Sequence, residues 1–440
     1  MRQIQGWWHR LAVCLGGAGL LLYLGLGVMQ VAGETAVPDT PVFTIWYGTN
    51  QTYGTIGNPQ PWINILGNVT DTDGIQTLVY SLNGGSSNSL SIGPDSRRLA
   101  RPGDFNIELD YNDLVSGTNQ VVITATDTLN NIATQVVTVN YQTGNIWPRT
   151  YTANWSAVTS ILEAAQVVDG KWKLESGAVR PEVLDYDRLI AIGDLTWTEY
   201  EVLVPITIHA IDTSDDAFNS PSNGPGVGLL VRWIGHGGFG QPKTGWNKQL
   251  GMLGWYHWTS TSTARMEMVG YGGKRGETGN KELTMGETYY FKLSVQNGLT
   301  STYRLKIWSV DEPEPPHWDL TQAGNPSEPG AGSLLLVAHH VDASFGNVQV
   351  TALADITPGL TVNKAGGGTV IVTPDPPYTY GQVVTLTAVP DTDFVFQGWS
   401  GFLTGSDTTT SLTLTGNYVV TATFIENPMV YLPVILAPQN

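Results

Sequence analysis

The 440-residue chain holds 51 glycines and 25 prolines, and only 13% of its residues are charged. Its formal net charge of −17 speaks against nucleic acid and anionic membrane surfaces as partners. With Thr and Val recurrent and a single cysteine, Cys14, the composition predicts an all-β, multidomain protein with large cores and no disulfides.

Arg2 and Arg10 precede and open an apolar run from Leu11 to about Met29, and Val31-Ala32-Gly33 follows. Basic residues, an apolar stretch and small residues at its end predict a signal peptide over 1–33, and so an extracellular or cell-surface protein. The run is long for such a segment, which leaves an uncleaved membrane anchor as the alternative. Cys14 lies inside it, so cleavage would leave a mature chain without thiols.

Residues 41–142 contain short alternating segments such as Thr77-Leu78-Val79-Tyr80-Ser81-Leu82 and Gln120-Val121-Val122-Ile123-Thr124-Ala125-Thr126. Turn clusters such as Asp73-Gly74 and Asn83-Gly84-Gly85 separate them, as expected of a β-sandwich. The stretch from Gly117-Thr118-Asn119 through Asp127 to Asn131-Ile132-Ala133-Thr134 resembles the last two strands of bacterial Ig-like domains, which implies a spacer module. Asp71, Asp73 and Asp127 are a calcium candidate between its loops, against the ordinary reading of Asp as a turn residue.

Residues 144–353 carry further strand-like segments, among them Thr198-Glu199-Tyr200-Glu201-Val202, Gly226 to Trp233, Tyr290-Phe291-Lys292-Leu293, Tyr303 to Trp308 and Ala343-Ser344-Phe345-Gly346-Asn347-Val348. Their number fits a two-sheet jelly roll. These segments resemble the concanavalin A-like lectin/glucanase superfamily, a likeness specific for fold and not for ligand.

Within this unit, Gly226 to Tyr271 concentrates aromatic, amide and glycine residues. Sugars present C–H faces that stack on rings and hydroxyls that take hydrogen bonds. Trp233, Trp246, Trp255, Tyr256 and Trp258 are therefore candidate platforms, and Arg232, Gln249, His257 and Glu267 candidate polar partners. Strand alternation puts Trp255 and His257 on one face and Tyr256 and Trp258 on the other, so at most half of this cluster lines one site and the rest belongs to a core.

Glucanases of the superfamily carry three acids as Glu-x-Asp-x-x-Glu. Here Glu199-Tyr200-Glu201-Val202-Leu203-Val204 has Val204 where the acid/base would stand, and an apolar side chain donates no proton. Retaining hydrolysis needs two carboxyls about 5–5.5 Å apart. Glu199 and Glu201 share a strand face, which leaves that separation open to them, but nothing else marks them as a pair and the ordinary reading is a solvated or structural strand. His339 and His340 are adjacent, which on a strand sends their rings to opposite faces. Asp342 is carried as a calcium candidate, because relatives of this fold often bind a structural ion near the terminal strands.

Residues 360–425 run through Gly366-Gly367-Gly368-Thr369-Val370, Phe396-Gln397-Gly398-Trp399-Ser400-Gly401 and Val420-Thr421-Ala422-Thr423-Phe424. They resemble the bacterial repeat module of the internalin B-repeat type, which implies a small β-rich unit with Trp399 as its core plug. The tail over 426–440, with Val430-Tyr431-Leu432-Pro433-Val434-Ile435-Leu436, is too short to span a bilayer and reads as a docking strand or a sorting signal.

The reading that unites these features is an exported, non-catalytic carbohydrate-binding protein, with a polysaccharide or other glycan as partner. Attachment to the cell envelope would run through the N-terminal segment or the tail. A structural or adhesive surface protein that binds other proteins is the alternative, and a polysaccharide hydrolase or lyase the third. No cofactor is called for, and a structural calcium is the one candidate.

Overall fold

The computed structural model describes residues 39–427 apart from 247 and 280. The expected signal peptide over 1–33, Cys14 and the tail from residue 428 onward lie outside the described residues. Within them the chain is built from β-strands in six sheets, joined by short helical turns. The all-β, multidomain expectation holds.

The first unit packs a three-stranded sheet (Val42–Ile45, Trp62–Thr70, Asp104–Asp110) on a five-stranded one. Alternation builds the core directly: Val121, Ile123 and Ala125 of Gly117–Asp127 are fully buried and face Ile63, Ile65, Phe105 and Ile107 from the opposite sheet. Trp62–Thr70 and Asp104–Asp110 depart from that rule, being buried on both faces. Their second face carries Asn64, Asn106 and Glu108, each at most 2% exposed, because the next unit docks upon it. Asn106 Nδ2 donates to Val168 O at 2.9 Å and Gln166 Nε2 donates to Trp62 O at 2.8 Å.

The second unit is a jelly roll of two antiparallel sheets. One runs in the spatial order Gln166–Asp169, Asp187–Ile192, Ser333–His339, Gly226–Trp233, Met252–Ser260, Thr263–Gly270, Gly273–Thr278. The other is centred on Tyr200–Ile211 and Thr288–Gln296. Between them lie Ile190, Ile192, Val227, Leu229, Val231, Tyr256, Trp258, Leu334 and Leu336 from the first sheet, against Val202, Val204, Phe291, Leu293 and Leu305 from the second. Strands Asp187–Ile192, Ser333–His339 and Gly226–Trp233 of the first sheet are buried along their whole length. Their outer face therefore meets a second apolar cluster, of Val168, Leu189, Ala191, Leu230, Trp233, Leu250, Leu253, Leu335 and Val337.

The third unit pairs two three-stranded sheets over Leu360–Glu426. Its core gathers Val384, Leu386, Leu414, Val420, Phe424 and Trp399. Trp399 is 5% exposed and donates Nε1–H to Asp407 O at 2.8 Å, in keeping with the core plug read from the sequence.

Candidate functional site

Strand Met252–Ser260 divides its aromatic residues as alternation requires. Tyr256 and Trp258, 3% and 5% exposed, enter the core between the sheets and meet edge to face with centroids 5.0 Å apart. Trp255 and His257 lie on the outer face, stacked with centroids 4.6 Å apart and planes 6° from parallel. The Trp255 indole comes against the neighbouring strand where residue 226 is glycine; a Cβ there would fall 2.3 Å from the ring. Trp255 stays partly exposed, and its Nε1–H has no acceptor among the described residues.

Charged groups surround this ring. His257 Nδ1 is 2.7 Å from Glu267 Oε2, and its Nε2 is 3.2 Å from Asn223 O. Lys274 Nζ lies 3.8 Å from Glu267 Oε1, and Arg265 Nε 2.7 Å from Glu277. Burial would raise the Glu267 carboxyl, but His257, Arg265 and Lys274 outweigh it and hold the group below the usual carboxylate range. Across Gly226 the same pattern recurs: His339 Nδ1 is 2.8 Å from Asp187 Oδ1 and its Nε2 is 3.2 Å from Ser222 O. Tyr186 meets His339 edge-on at 4.6 Å, and burial, with Asp187 beside it, pushes its phenol up to about 12. Two histidines thus tie the segment Ser222-Asn223 to the sheet beside Trp255.

The other expected contacts fall elsewhere. Trp233 is fully buried, tilted against Trp246 at 5.2 Å and edge-on to His236 at 4.9 Å, with Nε1 donating to Gln60 Oε1 at 3.3 Å. It plugs the junction with the first unit and offers no face to a ligand. Arg232 is 1% exposed, in the left-handed backbone region at φ 58°. A bulge between Val231 and Trp233 turns its side chain toward the second sheet. There its guanidinium donates to Thr198 O, Ser301 Oγ and Asn297 Oδ1 and lies 3.6 Å from Glu328. It is a structural cation. Trp246 and Gln249 are partly exposed on the segment that covers the apolar half of the outer face.

Of the expected residues, the structure brings together Trp255, His257 and Glu267. Sequence reasoning passed over Asp187, Tyr186, Lys274, Arg265 and the Ser222-Asn223 segment, which come from distant strands and reach the site only through sheet register. The His339-His340 pair also departs from expectation. The strand ends at His339, and His340 turns into the left-handed region at φ 53°, so the rings meet edge-on 4.8 Å apart.

The calcium candidates regroup as well. Both oxygens of Asp342 accept from Arg180, at 2.6 Å each. Asp127 accepts from Asn131 and from the Leu129 N–H, whereas Asp71 and Asp73 gather with Asp39, their oxygens within 4.8 Å of one another. Glu199 accepts from the Asn297 N–H at 2.8 Å, and Glu201 pairs with Lys292 at 2.9 Å.

Residues 359–428 match the family model of the divergent InlB B-repeat domain. No curated protein matches the chain. Among solved structures, a GH43 protein of Bacillus licheniformis is 11% identical, with 66% of this chain covering 63% of that one at a TM-score of 0.32. The VIP36 exoplasmic/lumenal domain, solved with Ca2+ and Man3GlcNAc, is 11% identical over 44% of this chain and 88% of that one, TM-score 0.31. The Emp46p carbohydrate recognition domain, in metal-free form, is 10% identical over 46% and 95%, TM-score 0.32.

Proposed function

We propose that the protein is an exported, non-catalytic carbohydrate-binding protein whose recognition surface is the outer face of the seven-stranded sheet around Trp255. The observation that carries this reading is a partly exposed indole set beside Gly226 and stacked on His257 on one face, with Glu267, Lys274 and Arg265 around it. Such a ring takes the C–H face of a pyranose, while the charged groups around it exchange hydrogen bonds with hydroxyls. The first unit acts as an Ig-like spacer, and the terminal segments serve attachment to the cell envelope. Absence of catalysis is supported by Val204 at the acid/base position of the glucanase pattern and by the pairing of Glu201 with Lys292.

The test is a pull-down of the full chain on insoluble polysaccharides, with and without calcium, with released sugar assayed in the supernatant. Binding without release is the expected result. Release of sugar would overturn the non-catalytic reading, and absence of binding across the panel would overturn carbohydrate recognition.

A further inference from the structure

The junction between the first unit and the jelly roll holds a cleft of about 380 Å3 away from the Trp255 face. Arg188 enters it from strand Asp187–Ile192 and is only 2% exposed. Its Nε and Nη2 have no hydrogen-bond acceptor among the described residues, and Asp185 lies 3.6 Å from Nη2. A buried guanidinium ordinarily has its donors matched by oxygens. The cleft accommodates this arginine because residue 170 is glycine at φ +78°; a Cβ there would lie 2.2 Å from Arg188 Cδ.

Two further cations line the same cleft. Lys171 pairs with Glu182 at 2.8 Å but stays about one-third exposed, and Arg101 has no ion-pair partner among the described residues. The one carboxylate in the lining, Asp104, is already engaged: its oxygens accept from Asn68 Nδ2 at 2.8 Å and from the Arg101 N–H at 2.9 Å. In a chain of net charge −17, three cations converge here on a space without a free acid. Trp46 adds a partly exposed indole to the wall.

We infer that this cleft is a second binding site, for an acidic saccharide. The carboxylate of a uronic acid ring takes the donors of Arg188 with Arg101 and Lys171 beside it, and the ring's C–H face lies on Trp46. The inference is independent of the Trp255 surface, since the two share no residue.

The test is calorimetric titration of the full chain with glucuronate, glucose, acetate and inorganic sulfate. Glucuronate is expected to bind about tenfold or more tightly than each of the others, since only it offers both a charge and a ring. Arg188→Gln and the exposed Arg101→Gln each weaken it by about tenfold, Trp46→Ala brings it down to the level of acetate, and Trp255→Ala leaves it unchanged. Arg101→Gln keeps the test decisive if Arg188→Gln does not fold. Glucuronate binding no tighter than glucose, sulfate binding as tightly as glucuronate (an adventitious anion hole), or binding insensitive to Arg101→Gln would each overturn the inference.

Discussion

Trp255 and Trp258 stand on one strand and point to opposite faces of the sheet, so the same substitution should have opposite consequences at the two positions. Trp258→Ala empties part of the core between the sheets and is expected to cost about 3–5 kcal/mol. Trp255→Ala removes a partly exposed ring; it is expected to cost about 1 kcal/mol while abolishing the binding of uncharged polysaccharides. Thermal melts paired with pull-downs separate the two, and a large loss of stability from Trp255→Ala would assign that ring to the core. Gly226→Ala should act on the same surface from below, because its methyl occupies the place of the Trp255 indole. Weakened binding with the fold retained is the expected outcome. Arg232, read from the sequence as a sugar contact, is expected to behave as a core residue. Arg232→Gln leaves the buried Glu328 without its cation, a loss of about 3–5 kcal/mol by denaturant titration.

At the scale of elements, the paired strands Trp62–Thr70 and Asp104–Asp110 of the first unit lie against Gln166–Asp169 and the segment after Trp233. Arg98 is the centre of that contact: it is 4% exposed and reaches Asp169 at 2.5 Å and Glu108 at 2.6 Å. His236 Nε2 lies 2.9 Å from Asp169, and Lys243 Nζ 3.3 Å from Glu108. Burial would raise the Asp169 carboxyl, but Arg98 and His236 outweigh it and hold the group below the usual range. A carboxyl that binds its proton less readily folded than unfolded contributes stability that is complete above the unfolded value of about 4. That contribution disappears as pH falls through the depressed folded value. Acid titration followed by calorimetry should therefore separate the melting of the first unit from that of the jelly roll. Arg98→Met should produce the same separation at neutral pH, and a single unchanged transition in that variant would show that the charges do not couple the units.

Over the whole molecule, several tyrosines are buried as neutral phenols. Burial raises the phenols of Tyr47, Tyr53, Tyr200 and Tyr303 well above the ordinary value. A group whose folded value is raised contributes stability that is complete below the unfolded value of about 10 and is lost as pH rises through the folded one. The first unit and the jelly roll, which hold these tyrosines, should therefore unfold cooperatively only well above pH ~10, followed by circular dichroism and phenolate absorbance together. Conversion of every tyrosine to phenolate near pH ~10 without loss of structure would contradict this.

What the sequence determined by itself was everything that depends on local periodicity. Alternation located the strands and separated Trp255 and His257 from Tyr256 and Trp258, because a strand sends successive side chains to opposite sides whatever surrounds it. Which of two opposite faces meets solvent is a different question, and only the tertiary structure decided it. Asn64, Asn106 and Glu108 alternate like surface residues yet are buried, and Trp233 looks like a platform yet is sealed. In each case another unit lies on that face. The convergence of His257, His339, Asp187 and Ser222 beside Trp255, and of Arg101 with Arg188 in the cleft, depends on sheet order and domain docking, which pair residues far apart in the chain and leave no periodic trace in it.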